Sequence, residues 1–229
     1  MEIVREESPT NRRNLAAVLF SAALACGCAA LFPALLSAQS PARLTYTRVL
    51  KGSVPESLAI TVNANGEATY EGRRLNEPSS PRPFQLTPAT WRRLFQLAAA
   101  LRNFESIDLE SHKKVANLGL KTFIYERDGE RHQAQFNYTQ RREAQELVDL
   151  FEKISNVQEH ITVLEHAIKY DPLSLAQELL LIQIDLDKGA LADPELLVPA
   201  LEKIAKNPRF LHLAQVRAQN ILQRLQGNN

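Results

Sequence analysis

The sequence predicts an α+β fold: a small antiparallel sheet covered by two helices, followed by an all-α C-terminal helical layer. Three observations carry this. Period-2 apolar segments come in adjacent pairs joined by Asn-Gly or Asp-Gly, which is hairpin chemistry. Two amphipathic segments with helical spacing, Trp91–Phe104 and Ala144–Ile154, follow the strand pairs. From Val157 onward the pattern is helical only. Neighbouring antiparallel strands with helices against one face are the signature of this class.

The central hairpin is Ser57–Gly72. Leu58, Ile60 and Val62 alternate with Ala59 and Thr61, and Asn65-Gly66 predicts a two-residue turn with positive φ. Ala68 and Tyr70 are the expected inward pair of the returning strand. Before it, Leu44–Leu50 predicts a first strand. After it, Arg73–Pro83 is expected as a long loop, rich in proline and serine and long enough to offer a binding surface.

Thr87-Pro88 is a helix start, with threonine as the cap and proline at the first helical position. Trp91, Leu94, Phe95, Ala98 and Leu101 then share one face, and Trp91 is expected in the core. Leu118–Glu126 and Arg131–Tyr138 form a second predicted hairpin around Asp128-Gly129. Thr139 is the expected cap of a second helix with Ala144, Leu147, Val148, Phe151 and Ile154 in register. Beyond it, Val157, Ile161, Leu164 and Ile168 begin a helical layer of about four helices. Asp171-Pro172, Asp193-Pro194 and Asn207-Pro208 are expected to cap the next three. The organisation expected is therefore a leader over 1–40, an α+β domain over 44–155 and a helical domain over 157–227.

The leader gives an address. Arg12-Arg13 precede Leu15–Ala38, which is almost wholly apolar. A basic edge, an apolar run and a small-residue exit predict export. The run fits both a signal peptide cut after Ala38 and a retained anchor, since about 20 apolar residues span a bilayer. Membrane contact is expected through this segment alone. Cys26 and Cys28 both fall inside it, so the exported body contains no disulfide, thiol nucleophile or cysteine-bound metal.

With Lys+Arg 27 against Asp+Glu 26, no basic excess points to nucleic acid. The five histidines, 112, 132, 160, 166 and 212, form no ligand motif such as His-Glu-x-x-His, and surface positions are expected for them. His132 is placed at a strand edge. Asp185 and Asp187 are a carboxylate pair whose use depends on tertiary placement. Glycine-rich phosphate loops and nucleophile elbows are missing from the sequence. No catalytic, cofactor-binding or metal residue is therefore nominated, and no cofactor is expected.

Two resemblances add to this. With Ile60, Val62, Gly66, Tyr70, Gly72, the Trp91–Phe104 helix and the Thr122–Tyr125 strand, Tyr46–Ile154 resembles a domain family of unknown function in exported bacterial proteins. That family carries a Cys and Pro motif where this chain has Gly52-Ser53-Val54-Pro55. Asp171–Leu225 resembles HEAT-like helical hairpins. The functional expectation is a non-catalytic, periplasmic or envelope-associated interaction module with a protein partner. Its binding surface is expected on the helix-free sheet face or in the Arg73–Pro83 loop. The alternative is a hydrolase-type enzyme whose site assembles from scattered Asp, Glu and His.

Overall fold

The computed structural model describes residues 41–73 and 80–227, all within one compact unit, Gln39–Asn229. The leader, with Cys26 and Cys28, and residues 74–79 lie outside the described residues, and so do the expectations attached to them. Six strands form one antiparallel sheet in the order β4-β3-β2-β1-β5-β6. They are β1 (Arg43–Val49), β2 (Ser57–Asn63), β3 (Glu67–Arg73), β4 (Arg82–Gln85), β5 (Leu120–Arg127) and β6 (Glu130–Phe136). The helices are α1 (Pro88–Ala100), α2 (Arg142–Tyr170), α3 (Leu175–Asp187), α4 (Val198–Ala205) and α5 (His212–Gly227). The α+β class and the inward Leu58, Ile60, Val62, Ala68 and Tyr70 are as the alternation predicted.

The two hairpins turn differently. Asp128 and Gly129 both take positive φ, 52° and 85°, the two-residue turn that Asp-Gly favours. At the first hairpin Val62 pairs with Ala68, so the loop is Ala64-Asn65-Gly66, and only Gly66 is left-handed, at φ 86°. The reason lies in packing. A Cβ on Gly66 would stand 2.5 Å from the Trp91 ring and 2.6 Å from the Gln85 amide, so the third loop residue tucks under α1. Trp91 is itself half-buried at the rim of the core, set edge-on to Phe95 at 6.5 Å. The expected loop to Pro83 ends earlier, because Arg82–Gln85 adds β4 beside β3, with Phe84 opposite Ala68.

Helix α2 differs most from expectation. It runs unbroken for 29 residues, about 43 Å, through the position expected to divide two helices. Ala144, Leu147, Phe151 and Ile154 enter the core under the sheet. Val157, Leu164 and Ala167 enter a second core with α3, α4 and α5. Nothing between Ile154 and Val157 breaks a helix, and both apolar stripes continue at helical spacing. Thr139 does not cap it: the helix starts after Arg141, and the Thr139 hydroxyl accepts from the Arg141 amide at 3.2 Å.

The expected Asp-Pro caps are redirected as well. Asp171-Pro172 and Asn207-Pro208 lie in turns ahead of α3 and α5, not at their first residues. Asp193-Pro194 does open the next helical segment, a 3₁₀ turn over Pro194–Leu197 that runs into α4. Buried Asp193, at φ 52°, gives that turn no side-chain bond and turns its carboxylate to another helix. Its carboxylate accepts from the Thr87 amide (2.7 Å), the Thr87 hydroxyl (2.9 Å) and the Thr90 hydroxyl (2.5 Å) at the N-terminus of α1. A carboxylate there meets unpaired N–H groups and the positive end of the helix dipole.

Candidate functional site: the helix-free face of the sheet

The sheet is one-sided. Leu44, Tyr46, Ile60, Val62, Tyr70, Phe123 and Phe136 turn towards α1 and α2, and the core is drawn from that face. Strand alternation sends every second residue the other way. Register aligns those residues into rows across the strands: Pro83, Thr69, Thr61, Thr45, Ile124 and Gln133 in one, and Glu71, Ala59, Thr47, Thr122 and Gln135 in the next. The Thr45 and Thr61 hydroxyls are 3.1 Å apart. At one end Val49 and Leu120 pair directly and stay 48% and 49% exposed. At the other, Glu126 lies 3.7 Å from both Arg43 and Arg131, and on β3 Glu71 pairs with Arg73 at 3.4 Å, so the charges of this face are balanced. No side chain of this face belongs to either core.

The buried face is held by α2 through polar contacts at fixed steps. Glu152 accepts from the Tyr46 hydroxyl at 2.7 Å and from Arg48 at 2.8 Å, on β1. Glu159 accepts from the Tyr70 hydroxyl on β3, and Arg82 of β4 donates to Thr162 at 2.6 Å and pairs with Glu165. From Glu152 to Glu159 the helix rises about 10 Å, and two strand spacings are also about 10 Å. The helix therefore crosses the strands and ties β1, β3 and β4 from behind the free face. Gly72 belongs to this arrangement, for a Cβ there would meet the Tyr70 hydroxyl at 2.6 Å. Burial first, then the Glu152 carboxylate, pushes the Tyr46 phenol far above its ordinary value.

Two other places draw functional interest. His160 overturns the surface expectation for the histidines: it is buried between Glu178, 2.6 Å from Nδ1, and Asp185, 3.0 Å from Nε2. Burial pulls its pKa down, but hydrogen bonds and charge from the two carboxylates outweigh that, and the net shift is upward. With both ring nitrogens donating, the imidazolium has no free nitrogen for a substrate or nucleophile, so it acts as a clasp between α2 and α3. His112 is exposed and meets Asp108 at 2.7 Å, which holds its pKa up. His166 and His212 are exposed, and His132 lies on the edge strand β6, 3.8 Å from Glu130. Asp185 and Asp187 part company, one turning to His160 and the other to Arg224 at 2.7 Å.

The second place is a pocket of about 400 Å³ between the β5–β6 turn and the segment after α1, lined by Arg102, Asn103, Glu105, Tyr125, Arg127 and His132 among others. Arg102, Asn103 and Phe104 take positive φ of 57°, 49° and 68° in succession. Left-handed backbone costs about 1–2 kcal/mol per residue. Packing accounts for it: the reversal lets both Leu101 and Phe104 enter the core, where Phe104 stacks on Phe123 at 5.1 Å. Among the described residues, no set of three His, Cys, Asp or Glu side chains converges as a metal centre. None of the described helices is long and apolar enough to cross a membrane.

Sequence reasoning located the free face in general terms but missed His160, because its partners lie 18 and 25 residues away. The only local signal was a histidine on the apolar side of an amphipathic helix. No family model matches the chain, and no match is found among curated proteins.

Proposed function

We propose that this protein is a non-catalytic, exported interaction module that binds a protein partner of the cell envelope on the helix-free face of its sheet. The observation that carries the reading is the one-sidedness of the sheet: rows of Thr, Ala, Ile and Gln whose charges are paired, Glu71 with Arg73 and Glu126 with Arg43 and Arg131. Such a face can be desolvated without stripping water from an unpaired charge. Five strand spacings by seven residues is about 24 by 23 Å, or roughly 500 Å² once the shorter β4 is allowed for. Doubled for the partner this is about 1,000 Å², the lower end of specific interfaces. Obligate homodimers bury about 2,000 Å² or more, so the area favours a transient partner over a second copy. The charge-free Leu15–Ala38 run and the resemblance of Tyr46–Ile154 to domains of exported bacterial proteins support the location.

Photo-crosslinking in the native cells tests it. A crosslinking residue at Thr47 or Gln135 should yield one discrete heterologous adduct, and the same residue at Glu143 on α2 should not. Ile124→Arg, placed in the middle of the face, should abolish the adduct while leaving the fold intact by circular dichroism. Adducts of the mass of two copies, or equal yield from Glu143, would overturn the proposal.

A further inference from the structure

A groove of about 560 Å³ lies on the second core, between α2 and α4, beside the Glu165 that pairs with Arg82 of β4. Ile161 and Ile168 of α2 and Leu196, Pro199 and Ala200 of the opposite wall form its floor. Glu165, Lys169 and Lys203 stand at its edge. The spacing explains this: positions 161, 165, 168 and 169 recur at helical intervals, so one face of α2 presents them together.

The charges decide what fits. Glu165 is neutralised by Arg82 of β4. Among the described residues neither Lys203 nor Lys169 has a carboxylate within ion-pair distance, and the Lys169 ammonium lies 4.8 Å from the Tyr170 ring. An apolar floor is thus edged by two ammonium groups that no carboxylate among the described residues pairs, since Glu165 of the same lining is taken by Arg82. From position 161 to 169 the helix rises about 12 Å. Eight lining residues fall well short of the roughly 20–30 that a protein partner covers on each side. The volume is in the range of sites for small molecules, about 300–1,000 Å³.

From these features we infer that the groove binds a single-chain amphiphile with an anionic head, a medium- or long-chain fatty carboxylate. The alkyl chain lies along Ile161, Ile168, Leu196 and Pro199, and the carboxylate sits between Lys169 and Lys203. Apolar burial supplies affinity and the lysines set direction, because an amine-headed chain of the same length would bring like charge to both.

Calorimetric titration of the full chain with octanoate, decanoate and dodecanoate, each below its micellar range, tests the inference. Each pair of methylenes removed should weaken binding by roughly tenfold, the effect of about 0.8 kcal/mol per buried CH₂. Dodecanoate methyl ester and dodecylamine should bind at least tenfold more weakly than dodecanoate. Lys169→Glu with Lys203→Glu, both exposed positions where folding is safe, should produce the same loss, and Ala200→Trp should fill the groove and block it. A chain-length series with no slope, ester binding equal to acid, or affinity unchanged in the charge-reversed variant would overturn the inference. The last outcome would place any observed binding away from these lysines. An acidic helical peptide binding more tightly than dodecanoate would overturn it in favour of a protein ligand.

Discussion

Replacing His160 with glutamine is the sharpest perturbation of the second core. The substitution removes a positive charge from between two carboxylates and keeps one amide donor. Glu178, with its side chain 10% exposed, then holds a charge in a site with little water, which costs about 3 kcal/mol when a buried partner is lost. Asp185, 30% exposed, retains access to solvent, so Asp185→Asn should cost only about 1 kcal/mol. The sign of the pH dependence follows from the upward shift of His160. A histidine whose folded pKa lies above its unfolded value of about 6.5 contributes its full stability below that value. The contribution is lost as pH rises through the folded pKa. Urea unfolding of wild type and His160→Gln from pH 5.5 to 9 should therefore show a difference in stability that is largest in acid and never grows with pH. Ring-proton NMR of the five histidines gives the direct check, with His160 titrating above about 6.5. Titration below that value, a stability difference that increases towards pH 9, or Asp185→Asn as costly as His160→Gln would each refute the clasp.

Three further outcomes follow from the sheet and its helices. Gly66→Ala should destabilise by about 2–3 kcal/mol, because a methyl would meet Trp91 and Gln85 and the residue sits at φ 86°; the sole tryptophan reports the change by fluorescence during urea unfolding. Asp193→Ala strips three hydrogen bonds from the start of α1 and should cost about 2 kcal/mol by thermal or urea unfolding. Tyr46→Phe should cost about 1 kcal/mol, since Glu152 keeps Arg48 as a partner. In the folded wild type, alkaline absorbance titration should leave Tyr46 un-ionised until the protein unfolds.

The hairpins, the first helix and the helical tail were legible because their causes are local. Alternation, Asp-Gly at a two-residue turn and Thr-Pro at a helix start act over a few residues, and the backbone obeys them. Even so, Asn-Gly gave a three-residue loop at the first hairpin, because Trp91 presses on Gly66 from 25 positions away in the chain. Asp193 does stand at the start of its own helical segment, but folding brought Thr87 and Thr90 within reach of its carboxylate, which bonds to them instead. Strand β4 was hidden because four residues, one of them proline, carry too little pattern to stand out from a loop.

By itself, then, the sequence determined which segments other than β4 are strand or helix, which sides of them are apolar, and that helices cover a sheet. Those properties are set by side-chain period and by backbone preferences within a turn or two. The tertiary structure alone decided that one 29-residue helix serves two cores, that His160 lies between Glu178 and Asp185, and that Lys169 and Lys203 meet at the edge of an apolar groove. These are outcomes of which distant groups share a low-dielectric neighbourhood. Charge pairing and burial act through space, so no window along the chain contains them.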